Sequence, residues 1–225
     1  MKERPILFSG EMVRAILEGR KTMTRRVKDL EAINSNPDQY LQVTRHIDNS
    51  FIFWGPSAVS DDFAQKAYPN GGGFKCPYGI PGDRLWVKET WRVEWTLDRV
   101  APSEFEHHYP VDYLAEPDDW MHPGCAGKWR PSIFMPRWAS RITLEITNVR
   151  VERLQDITLR EIGQEGWPDF PRKAKKRYSF CESIELGYGF QWFETLWDSI
   201  NGKKYPWESD PFIWVIEFKR LGDKP

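Results

Sequence analysis

The segment Gly19-Arg20-Lys21-Thr22-Met23-Thr24-Arg25-Arg26 gathers one lysine, two threonine hydroxyls and three arginines in eight residues. A lysine beside a hydroxyl is one way to make a nucleophile. Partial burial lowers the ammonium pKa, and the free amine can then take the hydroxyl proton. In an extended chain side chains alternate faces, so Lys21 goes with Met23 and Thr22 with Thr24. A bend after Gly19 would bring Lys21 and Thr24 around one point. A carboxylate that orients the amine or shuttles its proton would complete the set. The segment itself holds no carboxylate, so one must come from elsewhere in the chain. The competing reading is a solvated cationic patch, which the dipole favours after a helix C-terminus.

The elements around this segment are legible. Ser9-Gly10-Glu11 through Gly19 predicts a short amphipathic helix with Met12, Val13, Ile16 and Leu17 on one face. Gly19 suits the left-handed position that ends it. Thr22, Thr24 and Val27 favour an extended chain afterwards. Residues 83–91 alternate as a strand, with Leu85, Val87, Glu89 and Trp91 pointing one way. Residues 140–154 give the clearest strand signal, interrupted at Asn148, which predicts a bend between two strands. Thr158 and Glu161 make a capping box, with Ile157 and Ile162 placed as a hydrophobic staple and Gly166 as terminator. A second helix places Phe190, Phe193, Trp197 and Ile200 on one side and closes at Asn201-Gly202. The chain finishes with a strand in "PFIWVIEFKRL". Between these lie segments rich in turn formers, or acidic and aromatic without period. A mixed α+β chain follows, read as one domain over residues 1–225 with insertions at about 28–80, 92–130 and 168–188.

Composition narrows the function classes. With 40% hydrophobic residues and twelve tryptophans in 225, a real core is expected. The formal net charge of −1 gives no overall field for a polyanion, so any such site must be a local patch. Three widely spaced cysteines argue against a disulfide framework and fit a reducing cytoplasm. "MKERPILFSGEMV" lacks the apolar core of a secretory signal, and no run reaches the length of a membrane span.

Other residues offer binding chemistry. Trp86, Trp91, Trp129, Trp138 and Tyr78 could stack on a base, with Trp91 foremost because it follows the strand bearing Glu89; core filling is the alternative. Arg20, Arg25, Arg26 and Arg137, with Arg130 and Arg141, could widen a basic face. "PRKAKKRY" at 171–178 adds five cations that could meet phosphates or remain solvated. No cofactor motif occurs. Cys76, His122 and Cys125 leave a structural zinc open, with His107 or His108 as fourth ligand; free buried thiols are the alternative.

The blocks "LEGRKTMTRR", "PGDRLWVKETW" and "WVIEFKRL", in this order, resemble the ASCH domain superfamily. Its marks here are Gly19, Lys21, Thr24, Arg26, Gly82 and Asp83. The blocks "KWRPSIFMPRWASRITLEIT" and "LWDSING" look like the ASCH proteins common in phages. The resemblance implies a PUA-like mixed β-barrel with flanking helices and long loop insertions, acting on a nucleoside, RNA or DNA. One branch, the small bacterial N4-acetylcytidine amidohydrolases, carries a G-R-K-T-x-T motif whose lysine and second threonine are catalytic. Lys21 and Thr24 match them. The third residue of that branch is the glutamate of a Q-E pair, which falls on Gln164-Glu165. The resemblance therefore implies an acyl-removing hydrolase with Lys21, Thr24 and Glu165 as its catalytic residues. Arg20, Arg25, Arg26, Glu89, Trp91 and Arg137 would be its binding residues. A non-catalytic nucleic-acid module, a ribonuclease, or a phage accessory protein binding a host factor are the alternatives.

Overall fold

The computed structural model describes residues 1–55, 73–105, 109–116, 124–168 and 182–222. Its main sheet has five strands: β1 (Glu3–Leu7), β2 (Met23–Arg26), β6 (Arg84–Lys88), β9 (Thr143–Arg153) and β10 (Phe212–Arg220). They lie in the order β1-β6-β9-β10-β2. β1 pairs parallel with β6, and the remaining neighbours are antiparallel. Among the described residues the sheet is accompanied by α1 (Gly10–Leu17), α2 (Glu31–Asn34), α3 (Leu159–Gln164) and α4 (Glu182–Asn201). Among the described residues no helix is long and apolar enough to cross a membrane.

β10 explains why both faces of this sheet are covered. Its residues alternate between two cores. Phe212, Trp214, Ile216 and Phe218 enter one, which also holds Ile6, Phe8, Val13, Ile16, Leu85 and Leu144. Ile213 and Val215 enter the other, with Met23, Leu154, Ile157, Ile162, Phe193 and Trp197. A strand buried on both sides reads as a continuous apolar run, which is what "PFIWVIEF" is. Truncating Ile216 to alanine at such a site typically costs about 2–5 kcal/mol.

The mixed α+β class is borne out. Closure into a barrel is a different matter. β1 and β2 are the outer strands of the sheet, and no ladder joins them among the described residues. A side chain reaches across instead, with Arg26 Nη2 donating to the Leu7 carbonyl at 2.7 Å.

The first insertion has more order than its composition suggested. It holds α2 and an antiparallel sheet of β3 (Gln42–Arg45), β4 (Ser50–Trp54) and β5 (Phe74–Lys75). Leu30, Ile33 and Phe51 pack into the first core. Asn34 clamps the start of β10, donating to the Phe212 carbonyl at 2.9 Å and accepting from its N–H at 2.7 Å. The second insertion carries β7 (Trp91–Arg92) paired with β8 (Asp112–Tyr113), over a third core of Trp91, Val93, Phe105, Met135 and Ala139.

Two expectations need correction. The predicted pair of strands over 140–154 is one long strand, β9. The interruption at Asn148 is a register shift, since Glu217 opposes Asn148 while Phe218 opposes Ile146. A bulge absorbs the extra residue without ending the strand. On α4, Phe193 and Trp197 are buried, but Ile200 is 53% exposed, because the core ends before the last turn of the helix.

Candidate functional site: a buried lysine and its carboxylate

The turn after α1 aims Lys21 inward. The Glu18 N–H closes the helix on the Arg14 carbonyl, and Gly19 takes φ +73°, a conformation that glycine adopts without strain. The Lys21 N–H then returns to the Ala15 carbonyl at 2.9 Å, and the Thr22 N–H donates to the Gln164 carbonyl at 2.9 Å. That second bond ties the segment to the end of α3. The capping box at Thr158 and Glu161 starts this helix, and Glu165 follows its last residue. Gly166, at φ +100°, lets the two termini approach. A Cβ there would lie 2.9 Å from Ala15 Cβ and 3.3 Å from Lys21 Cβ.

The result is a contact between groups 144 residues apart. Lys21 Nζ donates to Glu165 Oε2 at 2.6 Å and to the Glu165 carbonyl at 2.8 Å. The two side chains are 0% and 4% exposed. Arg25 Nη1 donates to Glu165 Oε1 at 3.2 Å, so each carboxylate oxygen has its own cation. Arg25 Nη2 also lies 3.2 Å from Glu161 Oε2, and its guanidinium sits 5.8 Å from the centre of the Phe193 ring. On the other side, Phe8 receives Lys21 Nζ at 5.7 Å and the Arg26 guanidinium at 5.1 Å from its ring centre.

Three cations therefore crowd one carboxylate. Burial pushes the Lys21 ammonium pKa down. The charge and hydrogen bond of Glu165 offset this in part, and the charges of Arg26 and Arg25 push the same way as burial. Partial burial opposes ionisation of Glu161, but hydrogen bonds from Thr158 and the charges of Arg25 and Arg150 hold its carboxyl below the ordinary value. Arg150 in turn joins Glu152, Glu161 and Glu217. This ladder is not legible in the sequence, because its members lie on β9, α3 and β10 and meet only in the folded chain.

Thr24 is buried but stands apart. Its β10 partner is Ile216, in the first core, whereas Arg25 opposes Val215 in the second. Alternation along β2 therefore puts Thr24 and Arg25 on opposite faces. Thr24 makes no side-chain hydrogen bond to Lys21 or Glu165.

A cavity of about 370 Å³ opens beside the pair, between α1, the end of α3 and α4. Glu165, Gly166, Arg20 and Trp192 belong to its wall, whereas Lys21 does not. Arg20 is held there by Glu18 at 2.6 Å and by the Gly166 carbonyl at 2.6 Å. Trp192 was not singled out by the sequence, since its neighbours Phe193 and Trp197 carry the apolar period of α4.

The remaining candidates lie elsewhere. Glu89 is 1% exposed and is gripped by Arg141 Nε at 3.0 Å and Nη2 at 3.1 Å. Trp91 is 0% exposed and packs edge-on against Phe105 and Trp138. Its expected role as a stacking platform fails, because no ring face is open to a base. Arg137 reaches Glu3 at 3.1 Å in a second cavity. Cys76 is buried in the first core, and burial raises its thiol pKa to about 11. Cys125 is exposed. His107, His108, His122 and the basic run 171–178 fall outside the described residues. Among the described residues no three His, Cys, Asp or Glu side chains are grouped to hold a metal.

No family model matches the chain, and neither a curated protein nor a solved structure is significantly similar to it.

Proposed function

We propose that the chain is an ASCH-type protein of PUA-like descent that hydrolyses an acylated nucleoside of the N4-acetylcytidine class at the Lys21–Glu165 pair. One observation carries the reading: a fully buried amine lies 2.6 Å from the carboxylate of Glu165, a residue that lines a cavity. The cavity, about 370 Å³, falls in the range of roughly 300–1,000 Å³ common for small-molecule sites. The Gly82-Asp83 mark of the family also has a structural counterpart. Asp83 accepts from the Lys2 N–H at 2.7 Å and from Arg4 Nη1 at 2.8 Å, joining β1 to the start of β6.

The chemistry divides between the two groups. Glu165 meets the cavity and takes a proton from an attacking water; Lys21, with its lowered pKa, takes that proton on from behind. The water oxygen adds to the acetamide carbonyl carbon. Collapse of the adduct breaks the bond to N4 of the base, and the pair returns the proton to the leaving nitrogen. Arg20 and the half-buried Trp192 are the wall groups suited to the developing oxyanion and to stacking on the base. Thr24 is not needed in this route, although the resemblance makes it the nucleophile.

Chromatographic release of cytidine from N4-acetylcytidine tests the proposal. The wild-type chain turns over, and Lys21→Met and Glu165→Gln each lose about 10²–10⁴-fold, the usual span of general acid–base catalysis. Absence of release by a folded wild-type chain refutes the assignment. Thr24→Ala separates the routes: retained turnover supports water attack, and abolished turnover supports an acyl-enzyme.

A further inference from the structure

A second cavity, about 730 Å³, shares no wall residue with the first. Arg84, Arg137, Arg141 and Arg220 line it, against two carboxylates, Glu3 and Glu116. Four guanidiniums around one hollow repel each other unless something anionic sits among them.

The four arginines are engaged to different degrees. Arg141 is fully committed: Glu89 takes it through both oxygens, Glu116 lies at 3.3 Å, and the Tyr113 ring centre is 4.1 Å away. Arg137 Nε meets Glu3 at 3.1 Å, while its Nη2 has only a 3.4 Å contact to Thr143 Oγ1. Arg220 Nη1 is 3.5 Å from the Leu17 carbonyl, and Arg220 has a further partner besides. Arg84 has no ion pair among the described residues, and its Nε is shielded from solvent without a hydrogen-bond partner. A guanidinium N–H out of water and without an acceptor is a cost that a ligand oxygen would remove.

The choice of cation narrows the ligand. The charged wall groups are all arginines on the positive side, with no lysine. A planar fork of N–H donors matches the paired oxygens of a phosphate, whereas an ammonium acts as a point charge. Trp86, two residues after Arg84 on the same face of β6, carries the Arg137 guanidinium 5.9 Å from its ring centre. Arg137 is thereby held against the strand that carries Arg84.

We propose that this cavity binds a phosphate group, with Arg84 and Arg137 as its principal donors and Arg141 as a fixed part of the wall. The group is borne by a phosphomonoester of a small ligand or by the phosphodiester of a nucleic-acid strand. The inference does not depend on the chemistry proposed at Lys21 and Glu165, although Arg137 is also among the binding residues that the resemblance implies.

Calorimetric titration of the full chain decides it, with three probes: inorganic phosphate, a nucleoside 5′-monophosphate, and a single-stranded oligonucleotide without terminal phosphate. At least one probe binds saturably. Arg84→Gln and Arg137→Gln each weaken that binding tenfold or more, while Arg84→Lys retains part of it. Lys204→Gln removes the same charge at a distant exposed site and changes affinity less than twofold. Preference for the monophosphate identifies a monoester ligand, and preference for the oligonucleotide identifies a diester. Since the Arg84 side chain makes no hydrogen bond or ion pair among the described residues that its substitution would break, Arg84→Gln keeps the wild-type melting temperature within a few degrees. No saturable binding of any probe overturns the proposal. So does binding that Arg84→Gln and Arg137→Gln leave unchanged, or that Lys204→Gln weakens equally.

Discussion

Two buried carboxylates, Glu165 and Glu89, have opposite companions. Glu165 faces a lysine, and Glu89 faces an arginine. Both are shielded, at 4% and 1% exposure, and both are held through hydrogen bonds near 3 Å or shorter. Their cations respond differently. Burial lowers the Lys21 pKa and Glu165 does not fully restore it. Burial also works against the charge on Arg141, yet the hydrogen bonds and charge of Glu89 hold that guanidinium above its ordinary value. A guanidinium that never sheds its proton makes a clamp. An amine whose pKa is lowered gives up its proton more readily and suits a base. The same economy of charge therefore produces a strut in one region and a reactive centre in the other.

Removing one partner from either pair gives the largest effect. Glu165→Ala leaves Lys21 and Arg25 as buried cations without their shared carboxylate and lowers unfolding free energy by about 3–5 kcal/mol in urea. Arg141→Met costs less than that range, because Glu89, whose pKa burial already raises against the pull of Arg141, takes up a proton instead. Equal losses would erase the distinction. Gly166→Ala comes next, at about 1–3 kcal/mol, from its positive φ and the contact with Ala15. It also pushes Glu165 off Lys21, so turnover falls with it.

The pH dependence of melting sharpens the contrast further. Lys21 has a folded pKa below the ordinary value of about 10.4, so the unfolded chain binds more protons between the two. Its contribution to stability rises with pH through that window, and the rise is absent in Lys21→Met. Glu89 has a raised folded pKa, so the folded chain binds more protons just above the ordinary carboxylate range. Its contribution falls as pH rises there, and the fall is absent in Glu89→Gln. The smallest effect belongs to Arg20→Ala. Its bond to Glu18 is at the surface, and unfolding free energy changes by about 0–1 kcal/mol.

Local signals were legible where they are self-contained. Thr158 and Glu161 could be read as a capping box because both ends of that motif lie within one turn. Gly19 and Gly166 could be read as helix terminators, since a left-handed residue is a demand of the backbone alone. The alternation of Leu85, Val87, Glu89 and Trp91 correctly marked the inward side of β6 and β7. β1 escaped notice. It is a five-residue outer strand with Pro5 inside it, and its pairing with β6 is set by Asp83, some 80 residues away. Lys21 was legible as a candidate base because of its neighbours, but its partner Glu165 came only from resemblance. No period links a turn after α1 to the end of α3. Trp91 misled for a related reason: stacking and core filling require the same residue type, and only the surrounding Phe105 and Trp138 separate them.

Glu161 leaves the protein with a shared point of failure. Its carboxylate accepts from the Thr158 N–H at 2.9 Å, lies against Arg25, and joins Arg150. One side chain thus begins a short helix and braces the guanidinium that steadies Glu165. When the first turn of α3 frays, the brace loosens in the same motion. Opening of that turn and disassembly of the centre are therefore expected to be coupled, with amide exchange at the start of the helix as the measure.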